Sequence, residues 1–196
     1  MPVEYGVRSA NRYDIFALEA LMKRALEESG GLLPPYDVDC FDDGAKALIR
    51  AGTVFVAVEL SEDRKREKVV GCLALRPTTW HWNSSITLLE SVHFYVLPEA
   101  RKVRLHDGKT LVWEALLQCG KQLATIASYR ERPDGSTVFS ATALRIDMLF
   151  SLGGEEGAAD NRAIAKDEIM KRFGFQYVGG NHVFIPKEVQ AEQAAA

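Results

Sequence analysis

Residues 94–117, FYVLPEARKVRLHDGKTLVWEALL, decide how this chain is read. They close an apolar run, Ile86 to Leu97, that is rich in β-branched and aromatic residues and is stopped by Pro98. Such a run reads as a buried strand with an abrupt end, because these side chains pack on a pleated surface and proline cannot donate to a ladder. It is expected at the centre of a sheet. A basic loop, Arg101 to Lys109, follows, and then an amphipathic helix starting near Gly108, with Leu111, Ala115, Cys119 and Leu123 spaced to form its inner stripe.

Toward the N-terminus, Val54, Val56, Val58 and Leu60 alternate with Phe55, Ala57 and Glu59, the period of a strand. A second strand is expected at Val69 to Leu75, joined to the first by SEDRKREK, a mixed-charge stretch that suits a solvated hairpin tip. Before these lies a short extended segment near Val3 to Arg8. A helix is expected from Asn11 to Ser29, with Ile15, Leu18, Leu21, Met22 and Leu26 on one face and Asn11 as its cap. Gly30-Gly31 and Pro34-Pro35 stop it, and a second short helix is expected around Asp42 to Ala51.

Toward the C-terminus, Thr137 to Leu144 reads as another strand after a polar turn containing Pro133, Asp134 and Gly135. SLGGEEGAAD, residues 151–160, reads as a surface loop or part of a substrate lid. A helix from Asn161 to Phe173 stops at Gly174, and Phe175 to Ile185 forms a last strand or a pair bent around Gly179-Gly180. Hairpins mixed with helical crossovers argue for a mixed α/β (α+β) domain, a mixed central sheet flanked by helices. One domain over residues 1–186 is expected, with a fraying tail at 187–196. An exposed final strand would offer an edge to a second copy, making a homodimer possible.

Composition narrows the function classes. A chain of 196 residues that is 47% hydrophobic and 26% charged can bury one substantial core. A net charge of -3 gives no basic field for nucleic acid, so a small ligand is the better expectation. Cys40, Cys72 and Cys119 are odd in number and far apart, which suits neither a disulfide framework nor a zinc site and points to a reducing, cytoplasmic setting. No stretch reaches the roughly 18 consecutive apolar residues of a membrane span. His81, His93, His106 and His182 show no ligand spacing, so no metal is expected.

The 94–117 segment resembles the acetyl-CoA segment of the GNAT family of N-acetyltransferases, in which a strand of the form hydrophobic-x-V-x-P leads into a basic, glycine-containing loop and an amphipathic helix. The order of elements from Val3 onward fits as well, and IMKRFGFQYVGG, residues 169–180, looks like the family's helix, Gly-Phe and final strand. The resemblance implies the GNAT fold, acetyl-CoA as co-substrate, and a small-molecule or peptide amine as acceptor. It implies that the backbone of Phe94, Tyr95 and Val96 pairs with the pantetheine arm.

The chemistry of the loop agrees with that implication. A loop feeding a helix N-terminus presents backbone N–H groups and the positive end of the helix dipole to a pyrophosphate. Arg101, Lys102, Arg104 and Lys109 add charge, and Gly108 permits close approach or a positive φ. The sequence also departs from the family. Its loop places Gly and then Gly or Ala three and five residues after an Arg or Gln; here those places after Arg104 hold Asp107 and Lys109, and Gly108 is displaced by one. Asp107 is an alternative cap for the helix.

The implied reaction is direct attack of an amine on the thioester, which needs a base, a donor for the oxyanion and a proton for the leaving thiolate. Glu90, on the central strand, is the first candidate base, and His93, with an ordinary pKa near 6.5, is the second. The family's frequent acid is a tyrosine four residues before the Gly of the Gly-Phe pair, and this chain has Met170 there. Met cannot donate a proton, which leaves water, Tyr177 or another group for that role. Trp80 and Trp82, in RPTTWHW, are candidates for an acceptor pocket. The competing reading is a GNAT-like module that holds acyl-CoA or a protein partner with little or no turnover.

Overall fold

The computed structural model describes residues 4–28, 37–61, 66–80, 83–127, 129–131, 137–139, 142–146, 170–178 and 181–184. Its contacts fall into two compact units, one within Met1–Leu75 and Val92–Cys119, the other within Arg76–Ser91, Gly120–Asp147 and Ser151–Ala196.

The first unit starts with β1 (Glu4–Ser9), which pairs antiparallel with β2 (Val54–Leu60) from Glu4↔Leu60 to Ser9↔Phe55. Between them come α1 (Ile15–Glu28) and α2 (Val38–Arg50). Asn11 caps the 3-10 turn that leads into α1, as its position suggests, and Asp14 completes a capping box while the Arg8 guanidinium grips its carboxylate at 2.8 Å. Asp37, earlier than expected, caps α2 by accepting from the Cys40 amide at 2.9 Å. Next is β3 (Glu67–Trp80), antiparallel to β2 from Val54↔Ala74 to Leu60↔Glu67.

The last strand of this unit is the C-terminal part of β4 (Asn83–Val96), beyond which the Leu97 amide donates to the Val70 carbonyl at 2.8 Å. The two strands come close here because Gly71 has no side chain: a Cβ on it would lie 2.9 Å from a Val96 methyl carbon and 3.1 Å from the Tyr95 carbonyl oxygen. Leu18 and Leu21 of α1, Val56 of β2, Leu73 of β3, and Phe94 and Val96 of β4 are all buried in the core. Each such side chain contributes roughly 1.5–3 kcal/mol through burial.

α3 (Val112–Ala127) begins in this unit, four residues later than the position of Gly108 suggests. The delay has a local cause, because Asp107 and Gly108 close a turn of their own before the helix starts. The buried stripe differs too. Val112, Trp113, Leu116, Leu117 and Ala124 are buried, whereas of the expected set only Ala115 is. The helix is apolar on several faces, and its bulkier residues take the inward one.

In the second unit β4 pairs in parallel with β7 (Thr142–Arg145), from Thr87↔Thr142 to Glu90↔Arg145. β9 (Asn181–Phe184) lies antiparallel to β7 and to β8 (Gln176–Val178), giving the order β4-β7-β9-β8. The sheet is therefore mixed, as its connections suggest. β5 (Tyr129–Glu131) and β6 (Thr137–Phe139) form a separate antiparallel pair.

The strand expected over Thr137 to Leu144 is thus two strands, since its first part pairs with a hairpin partner and its buried second part, Thr142 to Leu144, joins the main sheet. The last described residues form a bent pair, and the final strand β9 is internal, with β8 at the end of the order among the described residues. Of the helix expected up to Phe173, residues 170–172 are described and helical; the chain then turns at Gly174, whose φ is 79°. The 151–160 loop and the 187–196 tail lie outside the described residues. Among the described residues, no helix is long and apolar enough to cross a membrane.

Candidate functional site

The loop between β4 and α3 opens with a 3-10 turn at Pro98–Ala100. Arg101 then folds back on its own strand. Its Nε donates to the Val96 carbonyl at 2.9 Å, its Nη2 donates to Glu28 at the end of α1, and its guanidinium sits 5.5 Å from the centre of the Tyr95 ring. The Tyr95 hydroxyl donates to the same Glu28 oxygen at 2.7 Å. The Arg101 hydrogen bond holds the Glu28 carboxyl below the usual carboxylate range against the opposing effect of burial, and burial together with Glu28 pushes the Tyr95 hydroxyl up. This cluster fastens the end of β4 to α1.

Beyond Arg101 the loop closes on itself. Arg104 and Leu111 form an antiparallel bridge, the Leu105 amide donates to Thr110 at 2.8 Å, and Arg104 donates to the Lys109 carbonyl. Gly108 turns the chain at φ 65°, a conformation that costs a residue with a Cβ, although open space surrounds the position a Cβ would take. Asp107 does not cap α3. Its carboxylate accepts from the amides of Lys109 at 2.8 Å and Thr110 at 2.9 Å and from the Thr110 hydroxyl, and these bonds bring its pKa down to about 2, the hydroxyl first.

The backbone donors expected to meet a pyrophosphate therefore have internal acceptors. Gly108 donates to the Leu105 carbonyl at 2.9 Å, Lys109 and Thr110 to Asp107, Leu111 to Glu114 Oε2 at 2.9 Å, and Val112 to the Val103 carbonyl at 3.1 Å. Glu114 thus closes the start of α3 from within the helix. Lys102, Arg104 and Lys109 are exposed, whereas only 13% of the Arg101 side chain is. Three cations of the expected set fit an anionic cofactor from solvent. The fourth is engaged inside, and the amides from Gly108 to Val112 would have to exchange partners to take part.

Phe94, Tyr95 and Val96 are fully buried. They lie along β4 beyond its parallel ladder with β7, whose last pair is Glu90↔Arg145. Glu90 is half-buried, and each of its oxygens faces an arginine at 3.0 Å, Arg76 on β3 and Arg145 on β7. Accepting a proton directly would require it to give up one of these partners.

His93 is 5% exposed, and neither ring nitrogen has a hydrogen-bond partner. Burial lowers its pKa to about 4, so the ring is neutral near pH 7. It lines a cavity with α1 and α2. Met170 is fully buried, a core residue where the family resemblance implies a tyrosine. Trp80 ends β3, Tyr177 pairs with His182 in the β8–β9 ladder, and Trp82 lies outside the described residues. Among the described residues there is no group of three or more His, Cys, Asp or Glu side chains that would hold a metal ion.

Sequence reading missed Glu28, Glu114, Arg76 and Arg145. Glu114, three residues after Leu111, carries the spacing of a capping carboxylate and was legible. Glu28 meets Arg101 across 73 residues, and the two arginines reach Glu90 through strand register, so no local pattern reveals them.

No family model and no curated protein matches the sequence. Solved structures do match. A GNAT-family acetyltransferase from Listeria monocytogenes is 17% identical, with 93% of this chain and 94% of that one covered and a TM-score of 0.50. A chain of the NatC complex bound to Gag peptide and CoA is 11% identical, over 93% and 96%, with a TM-score of 0.52. The aminoglycoside N-acetyltransferase AAC(6')-Iy in complex with CoA is 14% identical, over 91% of each chain, with a TM-score of 0.51. The mixed sheet, the β4–loop–α3 unit and these likenesses agree, and the chain has the GNAT acetyltransferase fold.

Proposed function

We propose that the chain is an acetyl-CoA-dependent N-acetyltransferase that acts on a small-molecule or peptide amine. The observation that carries this reading is the β4–loop–α3 unit, whose loop carries exposed Lys102, Arg104 and Lys109 and a glycine turn after the end of a buried strand. Three cations on one short loop suit the phosphates of coenzyme A. Two of the similar solved structures were determined with CoA, one of them with a peptide as well.

In this reading the amine nitrogen attacks the thioester carbonyl carbon, the carbonyl π electrons move onto oxygen, and the tetrahedral intermediate expels the CoA thiolate. Glu90 takes the amine proton, directly after one arginine moves aside or through a water. Because Met170 is apolar and buried, the thiolate takes its proton from water or from another group.

A second reading is favoured by a specific observation. Five consecutive amides, Gly108 to Val112, already have internal acceptors, two of them carboxylates, which suits a domain that holds a partner or binds acyl-CoA weakly without turning it over. The assay that separates the readings is release of free CoA thiol from acetyl-CoA across a panel of small amines and N-terminal peptides. Saturable, amine-dependent release supports the enzyme; cofactor binding with no release for any acceptor supports the module.

A further inference from the structure

A cavity of about 190 Å³ lies between α1, α2 and the strands β2, β3 and β4. Leu18, Phe41, Leu48, Val54, Cys72 and His93 are among the residues around it, and no charged side chain lines it. Its roof is α2, whose Phe41, Ala45 and Leu48 recur at helical spacing toward the cavity although no residue of that helix is buried. Cys40 and Val92 line the cavity and are also exposed, so it opens to solvent.

His93 is the polar exception. It is 5% exposed, and neither of its ring nitrogens has a hydrogen-bond partner, a costly condition for a buried polar group. A neutral imidazole offers one donor and one acceptor. The other polar side chains on the wall are the thiols of Cys40 and Cys72, which are weak partners. Apart from His93, the side chains of the wall therefore offer water only weak partners. The wall instead suits a molecule that is apolar over most of its surface and carries one hydrogen-bonding group.

Size narrows the class. An apolar cavity of roughly 150 Å³ holds a benzene molecule, so this one accommodates a single ring with a small substituent. We propose that the cavity binds a neutral phenol-type ligand, its ring between α2 and the sheet and its hydroxyl paired with His93. The hydroxyl serves either imidazole tautomer, since it donates to a bare nitrogen and accepts from an N–H. The site is separate from the Arg101–Gly108 loop, and its test does not depend on acetyl transfer.

Phenol and toluene, which match in size and differ in the hydroxyl, are titrated into the full chain while the histidine ring nitrogens are followed by 15N NMR, with His93→Leu used to assign the His93 signals. Saturable shifts of the His93 nitrogens with phenol are expected, with an affinity roughly 2–10-fold above that of toluene, the worth of one hydrogen bond. In Ala45→Phe, which fills the cavity, both ligands should lose binding. The proposal is overturned if the His93 nitrogens do not move, if phenol and toluene bind equally, or if Ala45→Phe leaves phenol binding unchanged. The comparison of the two ligands on the unaltered chain decides even if a variant fails to fold.

Discussion

Arg101 donates its Nε to the carbonyl oxygen of Val96 at 2.9 Å, so the expected phosphate ligand is spent on the strand expected to receive pantetheine. With its Nη2 also on Glu28, it acts as a brace between β4 and α1. Arg101→Ala should therefore lower stability by about 1–3 kcal/mol, the scale of a hydrogen bond to a charged group. Exposed Arg104→Ala should change stability by less than about 0.5 kcal/mol while weakening acetyl-CoA binding, by roughly tenfold if one charge-assisted contact is lost. Urea melts and calorimetric titration of each variant check the split. Equal stability of the two variants would remove the brace.

Asp107 competes with any phosphate for the amides of Lys109 and Thr110. Asp107→Asn keeps an oxygen for those amides and removes the negative charge. We expect acetyl-CoA affinity to rise, by roughly 3–10-fold for removal of one nearby like charge in solvent. The gain should shrink as salt is added. An unchanged or lower affinity would mean that the phosphates do not approach this turn.

Glu90→Gln should reduce turnover more than acetyl-CoA affinity, with a loss of roughly 10²–10⁴-fold near neutral pH for a general base. The loss should shrink at high pH, where the acceptor amine arrives deprotonated. A pH profile of amine-dependent CoA release tests this. A deficit equal at every pH would leave Glu90 as the anchor of Arg76 and Arg145 only.

His93 makes a prediction about stability. Its pKa is lowered to about 4 in the folded chain from an ordinary value near 6.5, so between these values the unfolded chain binds more protons and stability falls as pH falls. The stability is fully present above about pH 6.5 and is lost as pH falls, the loss amounting to about 3 kcal/mol once pH is below 4. His93→Leu should flatten that part of the stability profile, measured by denaturant melts from pH 4 to pH 7. A profile as steep as the parent's would place the titrating group elsewhere.

Local chemistry made much of the fold legible. Valines in alternation gave β2, Asn11 marked the entry to α1, and Pro98 ended β4 where the ladder to β3 also ends. What escaped was set by long-range pairing. The Thr137 to Leu144 stretch divides between two partners, and nothing in its own residues says which. The site was legible as a segment, not as an arrangement. Charge counting treats Arg101, Lys102, Arg104 and Lys109 alike, yet Glu28, 73 residues away in sequence, turns one of them inward. Glu90 looks like a lone strand carboxylate until register sets Arg145 opposite it.

Whether the exposed basic loop still takes coenzyme A is decided by calorimetric titration of the purified chain with acetyl-CoA and with desulfo-CoA. One saturable site is expected for each ligand, weakened by Arg104→Ala. No saturable binding of either ligand would contradict this, leaving the GNAT fold in place with another use.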